Sequence, residues 1–243
     1  MKAMILAAGL GTRLKPITDN IPKALVKLNN KPLLDIIIEK LKASGFNDII
    51  INVHHFADKI IDYIELNENF GIDITISDER DCLLDTGGGI KKASWFFDDG
   101  KPFLVHNVDI ISKIDLNELY KYNIETNAAI TLAVNKRESD RYLLFDKSNE
   151  LTAWENKITG ERKDVKKRNT ENGEPKSERF YGYCGIKIMH PKVFKYFPKE
   201  KIFSIIDFYL KTASLELVNC FKNNSEWIDV GTKEKLISAS KII

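Results

Sequence analysis

Residues Ile5–Val26 read ILAAGLGTRLKPITDNIPKALV: four apolar residues, two glycines separated by one residue, a Thr-Arg pair, then three more charges and two prolines. This is a short buried strand that ends in a glycine-containing cationic loop, before any long amphipathic segment begins. In open α/β sheets ligands bind beyond the carboxyl ends of the strands, and the loop after the first strand often lies there. Glycines at 9 and 11 let backbone N–H groups approach an anion closely, and Arg13 adds a fixed fork of donors suited to phosphate. The stretch therefore predicts a layered α/β fold with an anion site at one sheet edge.

The flanking sequence agrees with such a sheet. Strands are expected at Lys2–Ala7, Asp48–Val53, Asp73–Asp78, Pro102–Asn107 and Ala128–Asn135. Between them Leu34, Ile37, Ile38 and Leu41 recur at helical spacing, with Gly45 as the stop. Asp115, followed three residues later by Glu118, predicts a helix start, and Gly88–Phe97 a further helix whose apolar face carries Trp95, Phe96 and Phe97. Near-continuous apolar strands alternating with helices argue for a mostly parallel, Rossmann-like central sheet covered on both faces.

After about residue 136 the rhythm changes. Tyr142–Asp146 and Leu151–Glu155 flank KSNE, a hairpin signal. The charged stretch 156–178 holds few apolar side chains and predicts an exposed insertion or ribbon, with Lys166, Lys167 and Arg168 on it. Phe180–Met189, Glu216–Phe221 and Trp227–Val230 read as strands, Pro191–Phe197 and Phe203–Thr212 as helices, and Thr232 as the cap of a last helix. With no internal repeat or linker, the expectation is one domain over 1–243. Its parts are 1–135 and a β-rich elaboration at 136–243.

Composition removes several function classes. The chain of 243 residues is 43% hydrophobic and 30% charged, with a formal net charge of +2, so no global basic field points to nucleic acid. Any anion site is local. Cys82, Cys184 and Cys220 are odd in number, with no C-x-x-C, and read as reduced thiols of a cytoplasmic protein. No apolar stretch approaches the roughly 20 residues a membrane span needs. His54, His55 and His106 lack acidic partners at metal spacing and read as loop or capping residues.

Two familiar phosphate-binding turns do not fit. A dinucleotide-binding turn needs a third glycine where Leu14 stands, and no Gly-Lys-Ser/Thr closes a P-loop. The whole opening stretch instead resembles the signature of sugar-1-phosphate nucleotidylyltransferases, with Gly9, Gly11, Thr12, Arg13, Pro16, Thr18, Pro22 and Lys23 in register. The similarity continues through LDTGGGIKKA (Leu84–Ala93), FLVHNVDI (Phe103–Ile110), YGYCGIKIMHP (Tyr181–Pro191) and WIDVGT (Trp227–Thr232). It is greatest to the N-acetylmuramate-1-phosphate uridylyltransferases, with heptose-1-phosphate guanylyltransferases the nearest rival.

The resemblance implies an enzyme that joins an NTP, here UTP, to a sugar 1-phosphate and releases pyrophosphate, with no covalent nucleophile. Positioning and charge neutralisation supply such catalysis. It implies that Arg13 serves the leaving pyrophosphate, Lys23 the α-phosphate, and Ala8, Gly9, Gly11 and Thr12 the triphosphate. Thr86 and Gly87 would meet the base, and Asn107, Glu155 and Gly185 the sugar side. Asp109 and Asp229 would hold Mg²⁺, which typically takes one or two protein carboxylates plus substrate phosphates. In Ala153–Lys157 the sequence departs from the family pattern, since Asn156 separates Glu155 from Lys157 and no proline follows. A domain of another class, sensing nucleotides without turnover, would lack Lys23 or one aspartate, and all three residues are present.

Overall fold

The computed structural model describes residues 1–166 and 178–240. Its first half alternates strands and helices. Strand β1 (Lys2–Leu6) is followed by 3-10 turns at Thr12–Leu14, Ile17–Asp19 and Lys23–Leu25, then a small ribbon of β2 (Lys27–Leu28) and β3 (Lys31–Pro32). Helix α1 (Leu33–Ala43), β4 (Asp48–Val53), α2 (Ala57–Leu66), β5 (Asp73–Asp78) and α3 (Asp85–Lys92) come next. Then follow β6 (Phe103–Asn107), β7 (Ile110–Ser112) and α4 (Leu116–Thr126).

The second half is richer in strands. It comprises β8 (Ile130–Asn135), β9 (Arg141–Phe145), β10 (Leu151–Asn156), β11 (Arg162–Asp164) and β12 (Arg179–Met189). Helix α5 (Ile205–Ala213), β13 (Val218–Lys222), β14 (Trp227–Asp229) and α6 (Lys233–Ala239) complete it.

Strand order explains where a site forms. Strands β5, β4, β1 and β6 lie side by side and parallel, with Leu6 opposite both Asn52 and Asn107. The chain builds outward from β1 through β4 to β5, then crosses to lay β6 on the other flank. That reversal leaves a crevice beyond the carboxyl ends of β1 and β6. Strand β12 continues the sheet antiparallel to β6, carrying β8 and β13 on one part of its length and the β9–β10–β11 ribbon on another. The second half, antiparallel except where β13 runs parallel to β8, is the expected β-rich elaboration, joined to the first strands through hydrogen bonds along β12.

Alternation along the strands divides the core between the two faces. Ile5, Ile49, Ile51 and Leu104 pack with Leu34, Ile37, Ile38 and Leu41 of α1, while Met4, Ile50 and Val105 pack toward Ile90, Phe97, Phe208 and Tyr209. All are nearly or fully buried, so at roughly 25 cal/mol per Å² each large side chain contributes on the order of 2 kcal/mol. Helix α1 ends at Gly45, whose φ of 79° needs a glycine. Helix α4 starts where Asp115 accepts from the N–H groups of Asn117 and Glu118 at 2.9 and 3.0 Å.

Some local expectations shift. The helix expected at Gly88–Phe97 begins earlier, at Asp85, and gives way to a 3-10 turn at Ser94–Phe96. That break turns Trp95 outward, 63% exposed, while Phe96 and Phe97 stay in the core. Of the charged stretch, Arg162–Asp164 forms β11. Residues 167–177, including Lys167 and Arg168, lie outside the described residues, as do 241–243. Among the described residues no helix is long and apolar enough to cross a membrane.

Candidate active site

The two opening glycines have different local causes. Gly11 has φ of 66°, and a Cβ there would come within 3.0 Å of Thr18 Cγ2 and 3.2 Å of Lys23 Cβ. It lets the loop fold back, closed by the Thr18 hydroxyl donating to the Gly11 carbonyl at 2.8 Å. A Cβ on Gly9 would meet nothing within 4 Å. Gly9 is bare toward open space, as a close-approach position requires.

The loop carries its cation to a carboxylate. Lys23, at the start of the last 3-10 turn, forms an ion pair with Asp109, which follows β6. Both side chains are mostly buried, 12% and 15% exposed, so this pair is screened less than a surface bridge. Asp229 arrives from far along the chain through the β7–β14 ladder, where it lies opposite Ile110, and Val230 N–H donates to the Asp109 carbonyl at 2.9 Å. The two aspartates thus stand at adjacent places on neighbouring segments. Asp229 Oδ1 accepts from Gly231 N–H at 2.8 Å. A Cβ on Gly231 would lie 2.7 Å from a terminal nitrogen of Arg13 and 2.8 Å from that same Oδ1. Gly231 therefore keeps open the place where Arg13 and Asp229 converge.

Two clefts divide these residues between them. The first, about 420 Å³, is lined by Ala8, Gly9, Lys23, Thr86, Asn107 and Asp109, together with Asn52 and Glu79. The second, about 1510 Å³, has Arg13 and Asp229 on its wall with Arg137, Tyr142, Trp154 and Tyr183. Gly185 sits close by: its φ is 73°, and a Cβ there would come within 2.6 Å of Ile110 and 3.2 Å of Asn107 Nδ2. Thr12 is exposed on the loop.

Two expected residues are occupied differently. Gly87 lines neither cleft; a Cβ would collide with Phe203 at 2.4 Å, so this glycine serves the packing of α3 against the segment before α5. Glu155 is ion-paired to Lys157 at 2.5 Å and Arg162 at 3.8 Å and stands outside both linings. Its strand neighbours Trp154 and Asn156 line the larger cleft instead, as alternation along a strand demands.

Asn52, Glu79 and Arg137 were not singled out in the sequence. Asn52 interrupts the apolar run of β4, accepting from Ala7 N–H at 2.8 Å and donating to Glu79 at 2.8 Å. Burial raises the Glu79 carboxyl above its ordinary range, partly offset by that bond. A lone amide near the carboxyl end of an otherwise apolar strand was the available signal. His106 is a core residue: burial, reinforced by the nearby Lys40 charge, lowers it to about 3, and Nδ1 lies 2.8 Å from the Asn107 carbonyl.

The donor set suits a hard divalent cation. Asp109 and Asp229 offer carboxylate oxygens only, 15% and 25% exposed, and Lys23 already supplies a positive charge against Asp109. Among the described residues no group of three or more His, Cys, Asp or Glu gathers as a metal cage. Two carboxylates without a cage fit Mg²⁺, which keeps waters and takes phosphate oxygens, and do not fit a structural zinc.

Known proteins resemble this chain in sequence and fold. The chain is 31% identical over 249 residues to a UTP–glucose-1-phosphate uridylyltransferase of Synechocystis sp., covering 95% of the chain and 60% of that relative. It is 45% identical over 111 residues to an N-acetylmuramate alpha-1-phosphate uridylyltransferase of Caulobacter vibrioides, covering 45% and 46%. The matches thus span about half to three-fifths of these relatives' length. Among solved structures, HddC from Yersinia pseudotuberculosis superposes with a TM-score of 0.76 at 26% identity, covering 99% of this chain and 98% of that one. The nucleotidyl transferase family model matches residues 2–150, from β1 through the loop, Lys23 and Asp109 and on into the hairpin. By that match, the chain belongs to the nucleotidyl transferase family.

Proposed function

We propose that the chain catalyses nucleotidyl transfer from an NTP to a sugar 1-phosphate, yielding a nucleotide sugar and pyrophosphate. The observation that carries this reading is the meeting of Gly9, Lys23 and Asp109 at the crevice beyond β1 and β6, with Arg13 and Asp229 beside them. A triphosphate and a sugar phosphate are both polyanions, and their reaction needs little beyond alignment and charge neutralisation.

In this reading 1–135 holds the nucleotide and 136–243 the acceptor. The triphosphate lies along Ala8–Thr12, with N–H groups near Gly9 and Gly11 as donors. An oxygen of the sugar phosphate attacks the α-phosphorus in line, a new P–O bond forms, and the bond to the bridging oxygen breaks as pyrophosphate departs. Lys23 leaves Asp109 to meet the α-phosphate, where charge accumulates, and Arg13 holds the departing pyrophosphate. Asp109 and Asp229 would hold Mg²⁺, which when bound supplies charge neutralisation at the phosphates. Thr86 faces the base and Asn107 the sugar or ribose, with Gly185 leaving Asn107 its place.

Within this class we assign UTP as donor and an N-acetylated hexosamine 1-phosphate as acceptor, N-acetylmuramate 1-phosphate first, in the cytoplasm. The TGGG turn and the Asn107-x-Asp109 pair support the assignment by their likeness to the uridylyltransferases that act on that sugar. A site that hydrogen-bonds a base discriminates strongly against one with the wrong donors. The test is pyrophosphate release from UTP, GTP, CTP and dTTP against a panel of sugar 1-phosphates. Preferential use of GTP would transfer the chain to the guanylyltransferase reading, and no release with any pair would refute turnover.

A further inference from the structure

Arg137, just beyond β8, lies in the wall of the larger cleft, and nothing in the reaction above uses it. Its guanidinium carbon stands 4.4 Å from the centroid of the Trp227 ring. One terminal nitrogen donates to the Tyr183 carbonyl at 3.2 Å, another reaches the Glu138 carbonyl at 3.5 Å, and Nε is buried without a partner. Trp227 is itself fixed, its indole N–H donating to the Cys184 carbonyl at 2.7 Å.

The space for this arginine is built into β12. A Cβ on Gly182 would fall 2.5 Å from Arg137 Nε and 2.9 Å from Cγ and Cζ, so glycine there is a condition for the side chain's seat. Trp227 and Asp229 are two apart on β14 and share a face, so the stacked guanidinium lies on the side that carries Asp229. No carboxylate pairs with Arg137 among the described residues. Lys157, Lys163 and Lys235, which also line this cleft, each have a carboxylate within 4.0 Å. A held, partly buried guanidinium whose terminal nitrogens each keep a second N–H, with no counter-charge among the described residues, suits an oxyanion.

We propose that Arg137 binds an oxyanion of the acceptor in the larger cleft, either its phosphate or a carboxylate on its sugar, and so sets acceptor affinity. This rests on the transferase reading above. A solely structural role predicts lost stability. Acceptor recognition predicts that Arg137→Leu raises KM for the sugar 1-phosphate by about tenfold to a hundredfold, with the NTP's KM within about twofold of wild type.

Arg137→Lys keeps the charge without the fork and should recover part of the loss. Gly182→Ala keeps the guanidinium but unseats it, so it should reproduce the KM effect. Two acceptors separate the sources: N-acetylglucosamine 1-phosphate, with a neutral sugar, and N-acetylmuramate 1-phosphate, with a carboxylate. Equal losses assign the phosphate, and a loss confined to the second assigns the carboxylate. Unchanged acceptor KM in both Arg137→Leu and Gly182→Ala overturns the proposal while leaving the transferase reading standing. Should the unmodified protein release no pyrophosphate, that reading fails by itself. Calorimetric binding of the same two sugar phosphates to wild type and Arg137→Leu then decides the role of Arg137, equal affinities overturning it.

Discussion

Replacing Gly185 by alanine should damage stability and the acceptor side of the site together. The backbone there has φ of 73°, which costs an L-residue roughly 1–2 kcal/mol. The new methyl would also lie 2.6 Å from Ile110 Cγ1 and 3.1 Å from its Cδ1, inside the packed join between β12 and β7. Overpacking of this kind costs about 1–3 kcal/mol, so the total expected is about 2–5 kcal/mol. For a chain of this size each kcal/mol lowers Tm by about 2–4 °C, giving a loss on the order of 10 °C in a thermal melt. Because Asn107 Nδ2 lies 3.2 Å from the same point, it must move with Ile110, and kcat/KM should fall in whatever protein remains folded at 25 °C. Urea titration at that temperature measures the first effect and steady-state kinetics the second. A variant within about 0.5 kcal/mol of wild type would refute the claim that this glycine is required by its surroundings.

Gly9→Ala is the contrasting case: with no atom within 4 Å of the new Cβ, stability should hold while the NTP's KM rises by about tenfold, and an unchanged KM would remove Gly9 from the nucleotide contact. Asp229→Asn retains an oxygen for the Gly231 N–H bond and should keep the fold but lose about 10²–10³-fold in turnover. EDTA should imitate that loss and added Mg²⁺ reverse it; full activity in the variant sinks the metal assignment. Lys23→Ala should chiefly lower kcat and Arg13→Ala chiefly weaken NTP binding, since a contact that strengthens in the transition state appears in kcat. Lys187, fully buried, is lowered by burial to about 7 from 10.5, so the unfolded chain binds more protons and stability should rise between pH 7 and about 8.5. Melts of Lys187→Met should be flatter over that range; an identical slope would show that Lys187 is charged in its site.

Much of the parallel half was legible because its strands are apolar on both faces and its helices obey simple spacing. Asp48–Val53 and Asp73–Asp78 form as expected to the residue, and Asp115 caps α4. What escaped the sequence depends on partners distant in the chain. Gly87 reads as an approach to a base, and nothing in the sequence signals that packing asks for a glycine there as well, with Phe203 2.4 Å from where a Cβ would stand. Glu155 carries the chemistry that a sugar site wants, but pairing within its own ribbon turns Trp154 and Asn156 into the cleft. Arg137 is one cation among many in a charged run. It becomes distinctive only beside Trp227 and a glycine on another strand.

The short β7–β14 ladder also has a consequence in time. Three residue pairs, Ile110 to Ser112 against Trp227 to Asp229, are what carry the second carboxylate to the first. During synthesis the opening loop, Lys23 and Asp109 leave the ribosome before Asp229. The partner strand, Trp227–Asp229, follows more than a hundred residues after Asp109, so through that stretch of synthesis the acidic pair is incomplete. Any fragment that stops short of residue 229, through premature termination or proteolysis, would keep the opening loop but not the second aspartate. On the proposed assignment of Asp229, a nick that frees β14 would silence the site with little change to the sheet beneath it.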